Sequence, residues 1–394
     1  MIRYKKPTNW INYDKPALVA DLTEAKASVM SLKTVPYQRN WVEKLQYVQL
    51  KREIAGTSKI EGADFTENEL EAALSETAEE LFTRSQKQAW AAKNTYTWIA
   101  GLEDDKPLDV NLISEIHRRL VTGADDDHCP PGQLRGKDQN VTFGVPPHRG
   151  AEGGEECREM FMSLIYAAQH EYNDHDKLIQ ALALHYHFAS IHPFLDGNGR
   201  TARAMEALLL QRVGLRDSAF IAMSNYYYDE KSHYLDALAH SRANNHDLTH
   251  FLIFGLRGIA SQCKRLLAEI NKHISKAIYQ NLMFELFNRL KSKRKRVIAQ
   301  RQIDILKILL ESDAIEWNEL IPRAITTYNS LKNPMIALVR DVNQLGYLGA
   351  IEVSKGEDDK IMIEIRLEWP SEISETDFLE KIKELPKAKT YPFL

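Results

Sequence analysis

The sequence predicts a mainly α protein. Apolar residues recur at helical spacing along most of its 394 positions, β-prone alternation is confined to two short places, and a stretch rich in Pro and Gly interrupts the helical pattern near its middle. This length allows two or three domains. With 44% hydrophobic and 27% charged residues, the composition is that of a folded globular chain rather than a low-complexity or disordered one. A net charge of -4 argues against nucleic-acid binding over the whole surface, so any polynucleotide site is local. Cys129, Cys157 and Cys263 lie far apart without a CxxC pair, which disfavours a disulfide scaffold or zinc ribbon and suits a reducing cytoplasm. MIRYKKPTNW at the N-terminus has no apolar signal region. The longest stretch free of Asp, Glu, Lys and Arg, Leu178 to Leu195, carries His185, His187, His192 and a Pro, so it reads as a core helix entering a loop rather than a membrane span.

Taken in order, the first region to about residue 105 holds an amphipathic run from Gln38 to Ile60, with Trp41, Leu45, Val48, Ile54 and Ala55 at helical spacings. EGADFT ends that run, further helices follow to Trp98, and GLEDDKPLD reads as a connector. A second helical block spans about Leu108 to Arg265, interrupted between His128 and Gly154, where NVTFGV suggests a short hairpin. Basic residues then crowd between Arg289 and Arg301, including KSKRKR. Helical patterns at Gln302–Glu311, Trp317–Arg323 and Ser330–Leu345 precede two β-prone runs around an acidic turn, the layout of a winged helix-turn-helix.

Chemistry concentrates in HPFLDGNGRTAR, His192 to Arg203, a short loop between two predicted helices. Gly197 and Gly199 suit a backbone that turns with positive φ and approaches a ligand closely, and the helix that follows opens with unpaired N–H groups and a positive dipole end. Such a site takes a phosphate. Arg200 and Arg203, three apart, can add charge-assisted contacts to a polyphosphate, and Asp196 is a hard oxygen ligand for a bridging magnesium. His192 has an ordinary pKa near 6.5, so it can accept a proton from an attacking hydroxyl. By contrast His185 and His187, at i and i+2, point to different sides of a helix and read as packing or hydrogen-bonding residues.

The same twelve residues fit HxFx(D/E)GNGRxxR, the Fic motif, at every defined position, and the segment from about residue 40 to 260 resembles the Fic (Fic/Doc) family. The resemblance implies a helical bundle with a β-hairpin flap, which PGQLRGKDQNVTFGVPP resembles, and transfer of AMP from ATP to a Ser, Thr or Tyr hydroxyl of a protein. It casts His192 as base, Asp196 as magnesium ligand, Gly197, Asn198 and Gly199 as anion hole, and Arg200 and Arg203 as holders of the outer phosphates, with Thr201 and Ala202 in the same nucleotide-binding stretch. Flap residues Val141, Thr142, Phe143 and Gly144 would cover the nucleotide, while the extended Asn140 to Val145 would pair with a target loop. Tyr234 resembles the family tyrosine near adenine, with Tyr228 its rival. Upstream, TSKIEG resembles the inhibitory pattern [S/T]xxxE(G/N), which casts Glu61 as a glutamate that pairs with Arg203 and restrains the γ-phosphate in cis.

The implied organisation is an N-terminal helical region with the inhibitory motif (1–105), a Fic catalytic domain (106–265), a basic helical linker (266–300) and a winged-helix domain (301–394). For the last, a sparse basic set of Lys332 and Arg340 set against Asp341 and an acidic wing places target recruitment or homodimerisation ahead of DNA binding. The leading expectation is a cytoplasmic protein adenylyltransferase that uses ATP and Mg2+, acting on a partner protein or on itself. Rival readings are a nucleotide-sensing transcriptional regulator, a related Fic transferase such as a kinase, and an AMP-removing activity.

Overall fold

The computed structural model describes residues 2–35, 39–75, 81–215, 221–289, 293–312, 314–356 and 360–385 and divides into two compact units, Met1–Ala268 and Glu269–Leu394. In the first unit the helices α1 (Lys15–Thr34), α2 (Arg39–Ile60), α3 (Glu67–Ser75), α4 (Arg84–Ala100) and α5 (Val110–Val121) precede the hairpin. After it come α6 (Glu155–His170), α7 (Lys177–Ile191), α8 (Asn198–Leu210), α9 (Met223–Asp229), α10 (Lys231–Ala243) and α11 (Thr249–Asn288), whose residues from Glu269 on fall in the second unit. The expected helix at Gln38–Ile60 is thus α2; the side chain of its Trp41 lies outside the described residues.

The core of this unit is α7. Every side chain from Leu178 to Ile191 is buried, because the run carries no Asp, Glu, Lys or Arg to demand water, and Asp176 caps its start by accepting from the Leu178 N–H at 3.0 Å. His185 and His187 are accommodated inside by hydrogen bonds: His185 with Glu206 and, at 2.9 Å, with the Tyr234 hydroxyl, and His187 with the Tyr4 hydroxyl at 3.1 Å and the Trp10 carbonyl at 2.6 Å. Phe161 packs edge to face on Phe188 and Phe194 around the end of α7, and α8 lies alongside it. Truncating one of these rings to Ala costs about 3–5 kcal/mol, which indicates how firmly the α7–α8 loop is held.

The hairpin pairs β2 (Thr142–Phe143) with β3 (His148–Arg149), with Phe143 opposite His148. Sequence reading missed its third strand. The N-terminal residues Ile2–Arg3, here β1, pair in parallel with β3, giving the order β1-β3-β2. Two residues are too short for any periodicity to announce.

In the second unit α12 (Lys293–Glu311), β4 (Ala314–Glu316), α13 (Trp317–Ala324) and α14 (Pro334–Leu348) lead into β5 (Ile351–Lys355) and β6 (Ile361–Ile365), an antiparallel sheet of order β4-β6-β5. The acidic residues Glu357, Asp358 and Asp359 lie outside the described residues, as do the side chains of KSKRKR. Short helices α15 (Trp369–Glu372) and α16 (Glu375–Glu384), not anticipated from the sequence, contribute Trp369 and Phe378 to the core. Tyr279, Met283 and Phe287 from the end of α11 belong to that same core, so part of the stretch expected as linker, 266–300, is packed helix with an apolar face. No described helix is long and apolar enough to cross a membrane.

Candidate active site

His192 ends α7 in the left-handed conformation, at φ 57° and ψ 61°, which turns its ring out of the helix. Its Nδ1 lies 3.1 Å from the Ala189 carbonyl, an acceptor, so the proton sits on Nδ1 and Nε2 keeps its lone pair. Phe143 of the hairpin stacks on the imidazole at 3.8 Å and 14°. Burial, only partly opposed by the Ala189 hydrogen bond, holds the His192 pKa down at about 4, so the ring is neutral around pH 7. Arg135, which sequence reading passed over within the flap segment, anchors this loop. It is 2% exposed, and its guanidinium donates to the carbonyls of His192 (2.8 Å), Gln139 (2.6 Å) and Ala151 (2.6 Å).

The next turn is built around Gly197 and Asn198. Gly197 has φ +71°, and a Cβ there would stand 2.8 Å from Val121 Cγ1, so glycine is required on both counts. Asn198 clamps the loop: its Oδ1 accepts from the Phe194 N–H and its Nδ2 donates to the Phe194 carbonyl, both at 2.9 Å. Gly199 differs from the sequence expectation. It lies within α8 without positive φ, and what its missing Cβ spares is the Glu61 carboxylate, which a side chain would strike. Thr201 N–H and Oγ1 both donate to the Gly197 carbonyl at 2.9 Å, which leaves the N–H groups of Asn198, Gly199 and Arg200 ahead of the first intrahelical bond. Thr201 and Ala202 are fully buried, like the flanking Arg200 and Arg203.

The two arginines have separate partners. Arg200 Nη1 meets Asp125 at 2.5 Å, and Asp125 also accepts from Arg84 Nε (2.6 Å) and Gln88 Nε2 (2.9 Å), a fully buried carboxylate with two cations. Arg203 Nη2 meets Glu61 Oε1 at 2.5 Å, while its Nε donates to Thr57 Oγ1 at 2.9 Å. Both members of the TSKIEG pattern therefore hold the same guanidinium. Burial raises the Glu61 pKa, but Arg203 outweighs it and the net shift is downward, so Glu61 is ionised at neutral pH. Its helix is seated by Gly56, where a Cβ would come within 2.5 Å of Asn225 N, and by buried Glu53, which accepts from the Ser224 N–H at 2.7 Å and the Tyr96 hydroxyl at 2.8 Å.

Asp196 accepts from Gly197 N–H at 2.5 Å through Oδ1, and its Oδ2 lies 2.9 Å from His128 Nε2 and 3.4 Å from Arg84 Nη2. Burial disfavours its charge, yet His128, Arg200 and the Gly197 N–H together lower its pKa. Single ligand atoms of Asp125, His128 and Asp196 lie within 4.8 Å of one another. Asp125 is committed to its arginines, so the half-exposed, ionised Asp196 is the oxygen donor that fits a magnesium ion, with His128 at its side. His117 supports the loop from beneath: it accepts the Gly132 N–H at Nδ1 (2.9 Å), donates from Nε2 to the Asp196 carbonyl (3.1 Å) and stacks on Phe194. Arg84, Asp125, His117 and His128 were not legible as site residues, because nothing in their spacing ties them to a motif that begins more than sixty positions later.

Of the flap residues, Phe143 touches the imidazole, Gly144 takes φ +77°, Thr142 is exposed and Val141 half-buried. Tyr234 is 3% exposed, stacked on Tyr227 and bonded to His185, and burial pushes its hydroxyl up to about 12. Tyr228 is the exposed one of the pair, at 39%.

Residues 107–210 match the model of the Fic/DOC family. Over 159 residues the chain is 30% identical to a protein adenylyltransferase Fic of Nematostella vectensis, covering 40% of this chain and 33% of that protein. A protein adenylyltransferase Fic of Drosophila ananassae is 34% identical over 116 residues, 29% of this chain and 22% of that one. The chain thus matches about a third or less of the length of these curated relatives. Among solved structures, a Fic family protein from Desulfovibrio desulfuricans superposes with a TM-score of 0.57 at 17% identity, over 92% of this chain and 98% of that one. Fic-1 of C. elegans gives 0.54 at 18% identity, over 66% and 75%. The motif segment thus lies within residues 107–210, a region that matches the Fic/DOC family, and the chain shares its fold with these Fic structures.

Proposed function

We propose that the protein is an adenylyltransferase that moves AMP from Mg-ATP to the hydroxyl of a Ser, Thr or Tyr on a target protein, with Glu61 as a brake in cis. The observation that carries this reading is the pairing of a neutral His192, its Nε2 lone pair available, with an α8 N-terminus whose cation Arg203 is held by Glu61. In the reaction the acceptor oxygen attacks the α-phosphorus and an O–P bond forms. The bond from that phosphorus to the bridging oxygen breaks, pyrophosphate leaves, and the hydroxyl proton passes to His192 Nε2. Asp196 would hold the magnesium, which when bound neutralises phosphate charge. The N–H groups of Asn198, Gly199 and Arg200 would receive phosphate oxygens. Because Glu61 Oε1 sits where a Gly199 side chain would be, its carboxylate already occupies part of that anion site and competes with an incoming phosphate for Arg203.

We read the second unit as a winged helix-turn-helix that recruits a protein partner or a second copy rather than DNA. Arg340 on α14 is engaged by Asp341 at 2.9 Å, and Met335, Ile336 and Tyr347 of the same helix are exposed, a surface suited to protein contact. Incubating the chain with α-labelled and γ-labelled ATP tests the activity. Retention of the α-label on protein, lost in His192→Ala, is the expected result. Transfer of the γ-label would indicate a kinase, and no transfer even from Glu61→Gly would refute the reading.

A further inference from the structure

Between the flap and α10 lies a cavity of about 350 Å³ lined by Ile2, Pro146, Pro147, His148, Ala239 and Arg242. Two of its side chains have no role in the chemistry above. Arg242 is 7% exposed, yet it forms no ion pair and no hydrogen bond among the described residues. Its guanidinium carbon is 6.0 Å from the centre of the Phe143 ring, and its Nη2 lies under the flap turn, 3.1 Å from where a Gly144 Cβ would stand. His148 is 2% exposed, and its ring makes a loose contact with the Ser190 backbone rather than a well-formed hydrogen bond. Burial first, and then Arg242, hold its pKa near 3 against the opposing Ser190 contact, so the ring is neutral and carries one N–H.

Burying a guanidinium without a counter-charge is strongly unfavourable, and burying an imidazole that is only loosely satisfied adds to the cost. One anionic ligand relieves both. We propose that Arg242 and His148 form an oxyanion pocket behind the flap that takes a carboxylate or phosphate group. The surroundings agree in sign. Through Ile2 and Arg242 the cavity continues into a second one of about 710 Å³, to which Arg3, Lys5 and Lys6 contribute, and no Asp or Glu lines either. Arg3 is neutralised by Glu152 and Glu156, whereas Lys5 has no acidic partner among the described residues. The oxyanion has two sources, an acidic side chain of a polypeptide lying along the flap or a free phosphate.

Isothermal titration of the full chain without nucleotide tests the pocket independently of AMP transfer, using inorganic phosphate, a tetraglutamate peptide and a tetraglutamine control. At least one anionic probe binds, at least about tenfold more weakly to Arg242→Gln and undiminished to Arg203→Ala, which alters the motif site instead. Tighter binding of tetraglutamate than phosphate assigns the polypeptide source, and the reverse order assigns the free ion. No anion binding at millimolar concentration, equal binding by Arg242→Gln, or loss confined to Arg203→Ala overturns the proposal. Because Arg242→Gln alters a buried site, Ala239→Glu provides a second check. It sets a carboxylate three residues before Arg242 on one face of α10, inside the cavity. A higher melting temperature with probe binding abolished is expected, and an unchanged melting temperature with binding intact would overturn the pocket.

Discussion

Replacing Glu61 with glycine perturbs the proposed brake while leaving the His192 loop and the α8 N-terminus in place. The lost contact is an ion pair at 2.5 Å between a carboxylate 34% exposed and a guanidinium 2% exposed. With the charge centres about 4 Å apart and an effective dielectric near 20, their attraction is about 4 kcal/mol. Desolvation of the pair offsets roughly half of it, which leaves about 2 kcal/mol. An incoming phosphate must overcome that remainder to reach Arg203, so Glu61→Gly should raise incorporation of α-label by about thirtyfold. Thr57→Val removes only the hydroxyl that accepts from Arg203 Nε and should give a smaller rise, of a fewfold. The assay is α-phosphate label retained on protein against time at saturating magnesium. Equal rates for wild type and Glu61→Gly would show that the ion pair does not restrain the nucleotide.

Gly56→Val should loosen the seat of α2 on α9, because its Cβ would strike the Ser224 and Asn225 backbone; a loss of about 1–3 kcal/mol in urea unfolding together with increased labelling is the expected pair of results. Asp125→Asn leaves Arg200 and Arg84 facing a neutral amide in a buried site, and should cost about 3–5 kcal/mol in the same unfolding assay and abolish labelling. Acidification should weaken the first unit. His117 and His192 are held down at about 4 and His148 and His187 at about 3, against an ordinary value near 6.5, so the unfolded chain binds more protons throughout that window. Each group removes up to about 1.4 kcal/mol per pH unit below pH 6.5, and buried Glu53, raised to about 7, works in the opposite direction below that value. The guanidinium midpoint should therefore fall between pH 7 and pH 5, and a midpoint that rises would contradict the neutral state of these rings.

The legible part of the site is the part whose chemistry is packed into consecutive residues. HPFLDGNGRTAR announces a loop between two helices because its glycines, its carboxylate and its arginines lie within twelve positions. Glu61 was legible only through the resemblance of TSKIEG to an inhibitory pattern, since the residues alone read as a charged helix end; in the structure Thr57 and Glu61 both meet Arg203. Helix existence was readable from periodicity, as in α2 and α7, whereas β1 and β4 were not, since two or three residues acquire strand geometry only from a partner strand.

By itself the sequence determined the motif loop, the helices that flank it and the residue types able to bind phosphate and accept a proton. The tertiary structure alone decided which cation each carboxylate meets: Asp125 takes Arg200 across 75 positions, and Glu61 takes Arg203 across 142. It also decided that Arg135 ties the flap to the loop, that Gly199 is spared for a carboxylate rather than for its φ, and that Arg242 has no counter-charge among the described residues. The physical reason is range. Periodicity, capping and turn chemistry act over a few residues along the chain, while ion pairing, desolvation and close packing act through space and are fixed only when distant segments are brought together.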